Sequence, residues 1–174
     1  HHFTHKTPFE GSLLAEQRIR LIFTDSNNDL WLATQGSGLI KWSQDANQHT
    51  TLNQDNGLPS NTIAGIQQDQ QGFIWVSTLA GIAKVNPKSL AVETILTLRD
   101  GLAGDVSNRN ASLALKNGTL YFGTTNGLIS FNPSNLTLPT DDPKIELTHL
   151  DILGKKTTIN RAGQQLIEDV AYTT

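Results

Sequence analysis

Three segments of this chain keep one register. When residues 19–42, 63–85 and 111–131 are laid over one another, Trp31 falls on Trp75 and on Tyr121, at separations of 44 and 46 residues. Thr34, Thr78 and Thr124 coincide at the same two separations, Asp25 meets Asp69 at 44, and Gly72 meets Gly118 at 46. A linking element follows the first two copies, Asp55-Asn56-Gly57-Leu58-Pro59-Ser60-Asn61 and then Asp100-Gly101-Leu102-Ala103-Gly104-Asp105, with Gly57 and Gly101 again 44 apart. A period of this length marks a repeat architecture, in which a unit too small to bury its own apolar surface is stabilised by stacking on its neighbours.

Within the first copy the periodicity is that of strands. Ile19, Leu21 and Phe23 alternate with Arg20, Ile22 and Thr24, residues 25–29 form a polar turn, and residues 30–34 are a β-rich run. Gly36-Ser37-Gly38 makes a second turn, residues 39–42 a third strand, and residues 49–53 a fourth before the Asn56-Gly57 turn signal. Four short antiparallel strands in about 44 residues describe a propeller blade, a small twisted sheet that buries both faces. No segment sustains the apolar spacing and caps of a helix. The fold expected is all-β, a partial β-propeller of about three four-stranded antiparallel blades.

The recurring residues have structural jobs in such a blade. Trp31, Trp75 and Tyr121 are large enough to fill the wedge between twisted sheets. Thr34, Thr78 and Thr124 close the second strand, where a hydroxyl can satisfy a backbone group in the turn. Asp25 and Asp69 open β-turns, and Gly72 and Gly118 supply the positive φ that such turns require.

These residues resemble the two-component regulator propeller repeat, whose unit joins an Asp-x-x-Gly turn, a Leu-Trp-Ile-Gly-Thr strand, a Gly-Gly-Leu turn and an Asp-Gly-Leu-Pro-Ser-Asn link. Residues 69–78 and 56–61 carry the closest match. The first copy departs at Asn28, where Gly is usual, and the third lacks the Asp and has Tyr121 for Trp. The resemblance covers about residues 10–135 and implies a periplasmic sensor region followed by an immunoglobulin-like domain, a membrane helix and a cytoplasmic histidine kinase or diguanylate cyclase. Residues 144–155 alternate as a strand similar to the opening of that immunoglobulin-like sandwich, and residues 3–13 look like the outer strand and link of a preceding blade. The divisions expected are 1–17, a tag remnant at His1 and His2 plus the preceding outer strand; blades at 18–61 and 62–106; a last, incomplete blade at 107–139; and the beginning of the immunoglobulin-like domain at 140–174.

Charge and composition narrow the function. A net charge of −3, a pI near 5.9 and no basic run interleaved with aromatics leave no footprint for nucleic acid or an anionic membrane surface. The chain has no Cys, so neither disulfides nor thiolate metal sites arise. Asp25, Asn27 and Asp29 have the spacing of calcium-loop ligands, but Leu30 stands where Gly is required and Gly36 where the bidentate Glu belongs. The sequons at Asn110, Asn117 and Asn135 are chance matches in turn-rich sequence, and His49 and His149 share no motif. No nucleophile elbow, phosphate loop or zinc motif is present.

No catalytic residue, cofactor or metal ligand is therefore nominated, and the ligand-binding residues are left open. A non-catalytic sensor would bind a small molecule or saccharide at the propeller's central mouth, lined by inner-strand ends and the loops after Thr34, Thr78 and Thr124. A protein-interaction scaffold would dimerise through exposed blade faces and through edge strands at residues 3–9 and 129–131. A propeller lyase or hydrolase would need a perturbed acid or base in the channel.

Overall fold

The computed structural model describes residues 17–43, 48–136, 149–152 and 155–158. The first blade consists of β1 (Ile19–Thr24), β2 (Leu30–Thr34), β3 (Leu39–Ser43) and β4 (Gln48–Leu52), paired antiparallel in chain order. The second repeats that order with β5 (Ile63–Gln68), β6 (Ile74–Thr78), β7 (Gly81–Val85) and β8 (Val92–Leu96). The third has three strands among the described residues, β9 (Ser107–Ala114), β10 (Leu120–Thr124) and β11 (Gly127–Phe131), with β10 in the middle. The fourth strand of blade one ends at Leu52 rather than Asn53, because Asn53 caps the one-turn 3-10 helix at Gln54–Asn56.

Alternation along each strand divides the side chains between two neighbours. Trp31, Ala33 and Leu39 face the second blade and are buried with Ile66, Ile74, Val76, Ala83 and Val85. The opposite face of blade two, with Trp75, Ile82 and Leu96, meets Leu120, Phe122 and Ile129 of blade three. The middle blade is thus dry on both sides, and all five residues of β6 are buried. Trp75 meets Phe131 edge-on at 4.9 Å, and Phe122 stacks on the same ring at 6.0 Å.

Tyr121 departs from its expected role. It is only half-buried, because its position faces onward from blade three while the buried Leu120 and Phe122 face back toward blade two. Across that onward face Tyr121 lies opposite Leu113, and Leu128 lies opposite Gly123.

Polar side chains tie neighbouring blades together across 42 to 46 residues of sequence. Gln68 accepts from the Ser26 N–H at 2.8 Å and donates to the Ser26 hydroxyl at 3.2 Å. Gln70 donates to the Lys116 carbonyl at 2.8 Å, and Lys41 to the Pro87 carbonyl at 2.7 Å. Between blades, Gly65 permits a close approach: a Cβ there would sit 2.7 Å from Ser112 Oγ on β9.

Residues 17–136 fall within one compact unit, and the unit from Thr137 onward is described separately. In it β12 (His149–Ile152) pairs antiparallel with β13 (Lys155–Thr158), so Lys155 opens a second strand rather than closing the first. The preceding outer strand at residues 3–13, the tag reading of His1 and His2, and the rest of the immunoglobulin-like assignment lie outside the described residues.

Candidate functional site

The three recurring threonines set the geometry of one end of the blades. Thr34 Oγ1 donates to the Gly38 carbonyl at 2.7 Å and accepts from the Ser37 N–H at 3.0 Å. Thr78 does the same with Gly81 and Ala80, at 2.8 and 3.0 Å, and Thr124 with Gly127 and Asn126, at 3.0 and 3.3 Å. Each hydroxyl is committed to closing its own turn.

The linking elements then bring those turns to the first strand of the next blade. Asn53 and Asn56 form a reciprocal capping box around one 3-10 turn, and Gly57 ends it at φ 99°. Thr97, Asp100 and Gly101 repeat the device, with Gly101 at φ 92°. Asn61 closes the first link: its side chain accepts from the Gln54 N–H at 2.7 Å, while its carbonyl accepts from Gly36 and Gly38 at 3.0 and 2.8 Å. Asp105 takes the same place 44 residues on, accepting from Leu98 N–H at 2.6 Å through its carboxylate and from Gly81 N–H at 2.9 Å through its carbonyl. The loops after Thr34 and Thr78 are therefore tied to the entry of β5 and β9, and the Val106 carbonyl accepts from Thr125 after the third threonine.

First strands at this end carry a shared irregularity. Ile19 pairs with Thr34 and Leu21 with Ala33, so Arg20 is an extra residue, a β-bulge. Ala64 is the extra residue of β5, between Ile63 and Gly65. In β9 the disruption is wider: Ser107 pairs with Thr124 and Ser112 with Phe122, leaving residues 108–111 opposite Gly123 alone, with Asn110 at φ 54°. A bulged residue is left unpaired and breaks the regular alternation of its strand. Two of these three bulges carry arginine, Arg20 and Arg109, and Arg18 precedes the first.

The guanidinium of Arg20 is held below its ordinary pKa by desolvation first, then by the like charges of Arg109 and Arg18. Its Nε is shielded from solvent and has no hydrogen-bond partner. Neither ion pair found among the described residues, Lys41–Asp29 or Lys84–Glu93, involves these arginines. Sequence reasoning pointed to the loops after the three threonines and not to the arginines. Arg20 looked like the polar half of an alternating strand, and only the bulge register sets it apart.

Two clefts of about 340 Å³ each flank the blades, within the range of small-ligand sites. One lies at the threonine end, between the Gly36-Ser37 turn and the link residues Asn53 and Asn61, with His49 at its side. The other lies at the opposite end, between the turns at Asn27 and Gly72 and the residues Asn86 and Lys88.

The calcium-like triplet sits at that opposite end with its carboxylates engaged. Asp25 accepts from the N–H groups of Asn27 and Asp29 at 2.8 and 3.0 Å and from Trp31 Nε1 at 2.9 Å. Asp29 pairs with Lys41 at 2.8 Å. Of the two histidines, His49 lies exposed on β4 and His149 belongs to β12 in the second unit.

Residues 57–80 match the two component regulator propeller family. Over 165 residues, 95% of the chain, it is 30% identical to histidine kinase P4 of Formosa agariphila, of which it spans 12%. Among solved structures it resembles the extracellular domain assigned to the hybrid two component system BT3049 of B. thetaiotaomicron, with a TM-score of 0.61 and 30% identity over 66% of this chain and 16% of that one. It also resembles the extracellular domain assigned to the one component system BT4673 of the same organism, with a TM-score of 0.56 and 26% identity over 67% and 17% of the two chains. The chain thus spans a small fraction of each relative it matches.

Proposed function

We propose that this chain, whose repeats are two-component regulator propeller repeats, is a length of the extracytoplasmic sensor region of a bacterial transmembrane receptor. It binds a small molecule or saccharide at the threonine end and performs no chemistry of its own. The observation that carries the reading is the likeness, at 30% identity, to the extracellular domain of a hybrid two component system. The compartment proposed is the periplasm, with a membrane anchor and a histidine kinase or diguanylate cyclase output in the parent protein. The hydroxyls and carboxylates that recur in the repeat are spent on turns, caps and the indoles, which favours a binding role over catalysis.

A thermal-shift screen of sugars and small metabolites against the complete ectodomain tests this. A ligand at 100 times its dissociation constant should raise stability by about 2.7 kcal/mol, a shift of several degrees. That ligand should also change the receptor's output in cells, and ligand binding without any change in output would sink the sensor reading.

A second reading, a dimerisation scaffold in the same receptor, draws on one surface. Leu113 and Leu128, 55% and 66% exposed, share the onward face of blade three with half-buried Tyr121.

A further inference from the structure

We infer that the cleft between the first two blades, at the end opposite the threonines, is a binding site for a small molecule bearing a carboxamide group. The site is separate from the one proposed above and does not depend on it.

The chain contains the same groove twice, once filled and once open. Between blades two and three Gln70 reaches across: its Nε2 donates to the Lys116 carbonyl at 2.8 Å. Its carboxamide lies against Gly118, where an added Cβ would meet Gln70 Cδ and Oε1 at 3.0 Å. Asn132 donates to the Asn117 carbonyl at 3.3 Å and stands 3.4 Å from the same Cβ position. In the groove between blades one and two, Ser26 stands 44 residues before Gln70, and Gly72 stands 46 before Gly118. The serine side chain ends at Oγ, so nothing from blade one covers Gly72: the nearest atom to a Cβ there is Gln68 Nε2, at 3.8 Å. The cleft of about 340 Å³ opens at this point, with Ser26 and Gly72 both in its lining.

The filled groove shows which chemistry the open one takes. There a carboxamide is held by a backbone carbonyl that accepts its N–H, against a glycine that leaves it space. The counterpart of that carbonyl is the one of Gln70, which precedes the lining residue Gln71. Gln68 ties the blades here and is spent in doing so: Oε1 accepts from the Ser26 N–H at 2.8 Å, and Nε2 donates to Ser26 Oγ at 3.2 Å and the Gly72 carbonyl at 3.0 Å. Asn86 is likewise spent, on the N–H groups of Lys88 and Ser89 and on Glu93. The Ser26 hydroxyl proton, the side-chain amides of Asn27 and Gln71 and the Lys88 ammonium remain, with no partner among the described residues. All of these can donate to an amide carbonyl, and Asn27 and Gln71 can also accept from an amide N–H. Phe73 and Pro87 supply an apolar wall for the group that carries the amide.

The test is an NMR titration of the ¹⁵N-labelled chain with N-acetyl-D-glucosamine and, separately, propionamide, with D-glucose as the probe that lacks the amide. The backbone N–H signals of Gln71 and Gly72 should move saturably with at least one amide and not with glucose. A response to both amides identifies the carboxamide alone as the determinant; a response to N-acetyl-D-glucosamine only adds the sugar ring to it. Ser26→Gln, which gives blade one the side chain that fills the next groove, should weaken binding roughly tenfold or more. Ser26→Ala keeps the cleft open, removes one donor and should weaken it less. Gln70→Ser should uncover Gly118 and add a saturable response there. No saturable shift at Gly72 with either amide, an equal response to glucose, or unchanged affinity in Ser26→Gln with an intact fold by circular dichroism overturns the site. A Gln70→Ser chain that gains no response at Gly118 would show that the side chain at this position does not decide occupancy, which overturns it as well.

Discussion

Asp69 accepts hydrogen bonds from Gln71 N–H and Phe73 N–H, both at 2.9 Å, and from Trp75 Nε1 at 2.8 Å. Asp25 does the same for its own turn and Trp31. The two residues that recur six apart are therefore one unit, a buried carboxylate that closes the turn and holds the indole. The third repeat has Leu115 and Tyr121 at these positions and so gives up both halves together. What the sequence displays as two separate departures is a single one. Asp69→Ala should cost about 2–3 kcal/mol in urea denaturation, since it leaves the Trp75 N–H unpaired in the core. Asp69→Leu combined with Trp75→Tyr should cost less than the sum of the single changes, with a coupling of about 1 kcal/mol in the double-mutant cycle. Full additivity would show that the pair does not act as a unit. Asn28 is the other substitution the repeat makes visible. It adopts φ 63°, the left-handed conformation of the Gly it replaces, which Asn tolerates better than other side chains.

At the scale of elements, the links do more than connect strands. Each is a capped 3-10 turn whose last residue, Asn61 or Asp105, reaches back with its side chain and across to the preceding turn with its carbonyl. Because the two residues do the same work, Asn61→Asp should change thermal stability by less than about 0.5 kcal/mol. Asn61→Ala should cost about 1–2 kcal/mol, the loss of a capping acceptor, measured by differential scanning calorimetry. Strand positions and turns in the first two repeats were legible beforehand, because alternation and Gly-containing turns are local properties. The bulges were not, since Arg20 has the same residues on either side of it whether the ladder steps past it or pairs it. Their register is set by which residues of the neighbouring strand find partners.

For the whole molecule, blade two is enclosed and blade three is not. The onward face of blade three leaves Leu113 and Leu128 largely in water, whereas on the outward face of blade one Leu32 and Ile40 are buried and Ile22 is 64% exposed. A stack of sheets with such a surface should self-associate, and light scattering on the purified chain should give a mass above that of one copy. Leu128→Lys should shift that mass toward one copy, because a charge at the centre of a dry interface is costly. A monodisperse single copy with a cooperative thermal transition would show that the face is stable in water.

By itself the sequence determined the repeat, the strand count of the first two blades, and the buried Trp31 and Trp75. It could do so because period, turn chemistry and aromatic size act over a few residues. Where the first strands bulge, which carboxylates are spent, and that Tyr121 is not a wedge like the two tryptophans were decided only by tertiary structure. Those outcomes depend on how one blade's first strand lies beside the next, across separations of more than 40 residues that no local pattern reports.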